Sequence, residues 1–498
     1  SSAFGYGAHA TGVASTALGV DAYAAGTGSI AEGVFASATA DDSIAVGYHA
    51  SAQGYASAAF GNGATAVGDS SIAVGNTSLA SGEYSTAVGP FAVAQGYSSV
   101  ALGDTANALS DNSVAIGKNA YVAPTGQVGN YYSGYSSVPT QGIAIGAGAS
   151  VTGVNGLARG VNATASELDT TALGTGATAS GRYSTAVGIN AQASNTSANA
   201  FGYAAQASGT WSSAFGTLAV ASNTLATAVG QQATASGKYA TALGATAQAT
   251  GDNSTAVGKG AYASGTYSTA MGKYATASGP ASTAVGKYAT AGNGGATAIG
   301  YGAKAFGYIS TALGTDAYAA GDHSIAEGFR ANTGIYATNA AAIGYFANAQ
   351  GYASAAIGSH ASALGDSSVA IGNTSLASGE YSTAVGPFAA ATGYSATAIG
   401  DTANALGDNS FAGGSNAYAA GVNDIALGNG AATGGSYGNN IAIGAGAYAG
   451  SAYGGNIAIG QTASATGKYA TAIGRNANAS GKYGTAIGNG SQATGKYT

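Results

Sequence analysis

Polar and apolar side chains follow one another in this chain with a period of fourteen residues. One period can be read from Ser282-Thr283-Ala284-Val285-Gly286-Lys287-Tyr288-Ala289-Thr290-Ala291. The first four residues alternate as a strand does: Thr283 and Val285 share one face, Ser282 and Ala284 the other. Gly286 and the two residues after it make a corner. A second short strand follows, with Ala289 and Ala291 on one face and Thr290 on the opposite one. Glycines at the Gly286 position run from Gly5 to Gly117, from Gly146 to Gly328 and from Gly344 to Gly488, thirty-four in all, each with alanine two places before it. The spacing breaks only by insertion, of fifteen residues before Gly146 and of two before each of Gly344, Gly444 and Gly460. Glycine recurs at the second corner too, as at Gly12, Gly26, Gly54 and Gly68. Positive φ, which glycine adopts without steric cost, is the expected reason at both corners. Fourteen residues with two corners leave no room for a helix, and so much Gly and Thr would nucleate one poorly. The pattern predicts an all-β solenoid, a flattened parallel β-roll of fourteen-residue coils stacked about 4.8 Å apart. Thirty-four coils at that rise make a rod of roughly 160 Å.

The rows of this repeat say which side is inside. The residue three after the glycine is Ala in thirty-one coils and Ser in the rest, at Ser78, Ser375 and Ser491. A position that admits only Ala or Ser is sterically limited, so the alanine rows are expected in the interior, between closely spaced sheets. The residue just before the glycine is Val, Ile, Leu, Phe or Met in thirty coils, among them Val46, Ile116, Val257, Met271 and Ile299. By alternation it points away from the alanine interior. An outward apolar ladder of that length far exceeds what a soluble monomer leaves exposed. The chain is therefore expected to be an obligate oligomer, with this row as its intermolecular core. Glu32, Arg159 and Glu327 interrupt the row. They are expected either as tolerated, copied defects or as polar layers at an oligomer axis that fix register or trap an ion.

Composition narrows the possible functions. Only 6% of residues are charged and the net charge is −6, so no basic surface for nucleic acid is expected. Cysteine is absent, which excludes thiol and disulfide chemistry. No apolar run approaches the roughly 18 residues of a membrane span, so no direct membrane insertion is expected of this segment. His9, His49, His323 and His360 fall on unrelated coils without ligand spacing, so no metal site is expected. The glycine-rich stretches lack the helix and the Gly-Lys-Ser/Thr ending of a phosphate loop. No nucleophile stands near a base at a recognisable spacing. The chain is expected to need no cofactor and not to be an enzyme.

The insertions are where the sequence leaves the repeat. Residues 118–145 form an expected inserted surface loop, and Tyr131, Tyr132 and Tyr135 make it a candidate adhesive site, tyrosine being enriched at binding hot spots. The plainer reading is a tolerated bulge. Gly75 to Ala92 is identical to Gly372 to Ala389, 297 residues later, so the array has grown by copying blocks. Residues 1–498 read as a single repeat domain of about thirty-four coils. Both ends fall inside a repeat, and a longer parent protein is expected.

Asn112-Ser113-Val114-Ala115-Ile116-Gly117, Asp42-Ser43-Ile44-Ala45-Val46-Gly47 and Ser368-Val369-Ala370-Ile371-Gly372 resemble the head repeats of YadA-like trimeric autotransporter adhesins. The resemblance recurs in every coil. It implies a left-handed roll, a homotrimeric head, and display at the outer membrane and cell surface of a Gram-negative bacterium. It also implies a part in virulence through attachment to an extracellular matrix protein, a glycan, host cells or an abiotic surface. No neck, heptad stalk or membrane anchor is expected within this segment. Two other readings stay open at this point. One is a segment of a bacteriophage receptor-binding fibre. The other is an ice-binding solenoid, suggested by seven successive threonines from Thr227 to Thr311 at the position three before the glycine.

Overall fold

The computed structural model describes residues 1–123, 141–435 and 437–498. They form two compact units, Ser1–Ala249 and Thr250–Thr498. Both are built the same way. Each holds seventeen coils, every coil giving two strands of two or three residues, and no helix occurs among the described residues. The first strand ends at the glycine corner, as Thr283–Val285 does, and the second follows it, as Thr290–Ala291 does. All pairing within a unit is parallel, in register and between successive coils: Thr283 with Thr297, Ala284 with Ala298, Val285 with Ile299. First strands thus build one sheet and second strands the other, such as Thr276 with Thr290.

The fifteen-residue insertion leaves this register untouched. Val114 pairs with Ile143 and Ile116 with Ile145 across it, and Tyr121 with Ser150. Tyr121–Val122 and Ile143–Ile145 are ordinary coil strands within 118–145. Tyr131, Tyr132 and Tyr135 lie outside the described residues.

Alanine fills the inside. Ala284, Ala289 and Ala291 have no accessible surface, and their rows stay buried in all but the end coils. Methyl groups stack on methyl groups from coil to coil, which explains why the rows admit so little else. A fourth inward row, two before the alanine, is mostly serine; Ser43, Ser113 and Ser324 donate their hydroxyls to the carbonyl three residues back at 2.6 Å. The largest fully buried side chains are Val122 and Val151. The serine row gives way beside them: it holds Gly142 and Gly156. A Cβ on Gly142 would lie 2.7 Å from Val122 Cγ1, and one on Gly156 2.6 Å from Val151 Cγ1. Volume added on one wall is removed from the facing one.

The two glycine corners differ, and here the sequence expectation needs correcting. Gly174 has φ +136°, and a Cβ there would sit 2.5 Å from the carbonyl oxygen of Gly188 in the next coil. Conformation and close approach both demand glycine. Gly68, at the second corner, lies outside the left-handed region, yet a Cβ there would still overlap the Gly82 carbonyl. Backbone approach alone fixes it. The left-handed positions are the residues two and nine after the first-corner glycine, and most are not glycine: His49 (φ 53°), Trp211 (φ 55°), Tyr274 (φ 57°), Tyr288 (φ 62°). Each costs on the order of 1 kcal/mol. Main-chain bonds between coils hold them, as Tyr288 N–H donates to Lys273 O at 3.0 Å.

Side chains take over where two residues are inserted. Before Gly444 and Gly460 the serine row becomes Asp424, Asn440 and Asn456, all buried. Asp424 accepts from Gly421 N–H at 2.7 Å, from Asn440 N–H at 2.8 Å and from Asn440 Nδ2 at 3.1 Å. Asn440 Oδ1 accepts from Asn456 N–H at 3.1 Å, and Asn456 Oδ1 from Ala470 N–H at 2.9 Å. The ladder satisfies amides that the lengthened corner leaves without main-chain acceptors.

Candidate binding surfaces

Each unit presents two outer faces and two corner edges. The faces are chemically opposite. On the first sheet the residue before the glycine points outward and is apolar: Leu18 is 45% exposed and Met271 46%. Val46, Ile116, Val257 and Ile299 occupy the same row in register with their neighbours. Ile30, Ile72, Ile143 and Ile325 widen the strip. On the second sheet the outward row is largely Ser, Thr, Asn and Gln, as in the run Thr164, Thr178, Gln192, Gln206.

Glu32, Arg159 and Glu327 sit in the apolar row. Glu32 pairs between Leu18 and Val46, Arg159 between Ile145 and Leu173, and Glu327 between Leu313 and Ile343. All three are exposed. A fourth interruption, Gly413, is uncharged. A Cβ there would lie 2.7 Å from Phe411 Cε1 and 2.9 Å from Leu427 Cδ1, because the Phe411 ring covers the vacancy. Replacement of the usual threonine by Phe411 two places earlier was the signal in the sequence.

Acidic residues are mostly spent on the corners. Asp41, Asp69, Asp111, Asp322, Asp366 and Asp408 each accept a backbone N–H one coil earlier at 2.6–2.8 Å. Among the described residues no group of three His, Asp or Glu side chains is placed to hold a metal ion.

Aromatic rings follow the corner edges from coil to coil. Tyr274 stacks on Tyr288 with centroids 5.6 Å apart, and Tyr288 meets Tyr301 edge-on. Tyr469, Tyr483 and Tyr497 form a continuous stack at 5.6 and 5.1 Å. Copied blocks carry copied pairs: Tyr84 with Tyr97 and Tyr381 with Tyr394 are both edge-on at 5.5 Å. The charge of Glu83 holds the Tyr84 phenol above its ordinary pKa. A cavity of about 520 Å³ opens beside the inserted coils, lined by Val422, Tyr437, Asn439, Tyr453 and Tyr469.

These features define a structural solenoid whose chemistry lies along its edges and outer faces. The YadA head domain repeat matches residues 1–92, 94–120, 152–198, 221–289, 291–308, 310–331, 363–389, 391–431, 457–477 and 479–498, well over half the chain. The chain belongs to that family, a family of structural adhesins. All four insertions fall in stretches that the repeat does not match. No curated protein matches the chain.

Proposed function

We propose that this chain is the head of a bacterial surface adhesin that works as a homotrimer. In this reading it is displayed outside the cell and attaches to matrix protein, glycan or an abiotic surface. The difference between the two outer faces carries the reading. A ladder of Val, Ile and Leu open to water is unfavourable by about 25 cal/mol per Å² of apolar surface, and packing against other copies removes that cost. The polar face has no such need and stays in contact with solvent. In the trimer Glu32, Arg159 and Glu327 form polar layers in the seam. The threonine run from Thr227 to Thr311 shares the apolar face, so packing that covers the ladder also covers the surface an ice lattice would need.

Two measurements test the proposal. Sedimentation velocity should give three times the 46.8 kDa chain mass; a single-chain mass would overturn the trimer. Beads coated with the protein should be retained on matrix-coated, glycan-coated or bare plastic surfaces more than albumin-coated beads. Equal retention on all of them would overturn the attachment role.

A further inference from the structure

Charge is unevenly spread along this acidic chain. Residues 425–498 contain Lys468, Arg475, Lys482 and Lys496 and no Asp or Glu. Lys468, Lys482 and Lys496 stand fourteen residues apart, at the same corner position of three successive coils. Their spacing along the edge is therefore about 4.8 Å. Each ammonium is held over an aromatic ring: Lys482 Nζ lies 5.1 Å from the Tyr483 centroid and Lys496 Nζ 5.1 Å from that of Tyr497. Lys468 Nζ lies 5.3 Å from Tyr469 and 4.1 Å from Tyr453. Tyr453 and Tyr469 also line the 520 Å³ cavity with Tyr437 and Asn439. The line of cations thus runs directly into an aromatic cavity that has an amide on its wall.

We propose that this edge of the second unit, from Tyr437 to Lys496, binds a polyanionic polysaccharide bearing sulfate or carboxylate groups. The proposal deepens the adhesin reading and rests on it. Cation–π contacts pin the ammonium groups in a row, so little side-chain freedom is lost on binding. An extended sugar chain presents anionic groups and hydroxyls at a repeat comparable to the coil spacing. The faces of Tyr469, Tyr483 and Tyr497 are already stacked on one another. They offer phenol hydroxyls and ring edges to a ligand, which suits sulfates and hydroxyls and leaves no gap for nucleobases. Tyr437 and Tyr453, 69% and 55% exposed, keep ring surface free to pack on a sugar. The track must face solvent in a trimer, because three copies of such a cation row could not be buried together unpaired. Three tracks per trimer then add by avidity.

The experiment uses the whole chain and immobilised heparin, with neutral dextran and single-stranded DNA of matched length as alternative probes. Heparin should bind, binding should weaken as salt rises, and dextran should not bind. The K468Q/K482Q/K496Q variant should lose affinity by at least about tenfold, and Y437A/Y453A should weaken binding with no change in charge. The K259Q/K273Q/K287Q variant removes three lysines from another edge of the same unit and should lose clearly less. An equal loss there would reduce the effect to general charge attraction and overturn the site. So would tighter binding of DNA than of heparin, or heparin binding unaffected by the Lys468 triple. A chain that attaches to matrix but ignores heparin would sink this inference alone. A single-chain mass, with heparin binding still lost in the Lys468 triple, would sink the trimeric reading and leave this site standing.

Discussion

Alanine at the inward positions is a steric requirement, and single substitutions on the two sides of a strand should show it. Ala284 has no accessible surface, whereas Thr290 points outward and is half-buried. Ala284→Leu forces a branched side chain between stacked methyl groups, which typically costs about 1–3 kcal/mol or more. Thr290→Leu should change stability by about 0.5 kcal/mol or less. Urea melts of the two variants compare them, and equal midpoints would place the interior elsewhere. Glu32 and Glu327 make the opposite case, charged groups in an apolar row. In the proposed trimer three carboxylates meet in the seam at each level and repel. Apolar residues of suitable size often outperform buried charge, so E32V/E327V should raise the melting temperature of the assembly. A lowered temperature with the trimer intact would mean that these layers bind a stabilising ion or face water. The alanine and apolar rows were legible in the sequence because each demands one kind of side chain in every coil. The left-handed corner residues were not. Tyr, His, Asn and Ala all occupy them, since main-chain bonds between coils set their φ whatever the side chain.

A coil is the smallest element that can be edited, and the insertions show how the protein edits it. Val122 and Val151 stand where most coils have alanine, and glycines replace serine across from them. Read across the coil, the Val and Gly positions compensate. The same holds for Phe411 with Gly413, and for the Asp424, Asn440 and Asn456 ladder at the lengthened corners. Such pairings depend on contacts across the roll, which the period alone does not specify. A double-mutant cycle tests the idea. Gly156→Ala places a methyl against Val151 Cγ1 and should destabilise the fold by about 1–3 kcal/mol. Val151→Ala leaves room, so in that background Gly156→Ala should cost clearly less. A coupling energy below about 0.5 kcal/mol would show that the two positions do not share one space.

In the proposed trimer, association completes the fold. Within a unit each coil buries mostly methyl groups, and each contributes little at about 0.8 kcal/mol per methylene-sized group. Apart from Val122 and Val151, the larger apolar side chains of the described strands point away from that interior. Chain stability and assembly are therefore expected to be linked: copies that fail to associate should also melt early. The apolar row was plain in the sequence, but which copies it meets was not, because a pattern of outward Val, Ile and Leu says only that something covers them. Val257 and Ile299 lie three coils apart on this face of the second unit, in register with Met271 and Val285 between them. Val257→Asp with Ile299→Asp inserts two like charges into the seam from every copy. Burying an unpaired carboxylate costs several kcal/mol, and repetition in three chains multiplies it. The double variant should run as a monomer in light scattering, or unfold at a much lower temperature than the parent. The matched variant Thr276→Asp with Thr290→Asp puts the same charges on the polar face and should remain a trimer. If the first pair also stayed trimeric and equally stable, the interface would have to lie off the Val/Ile/Leu ladder.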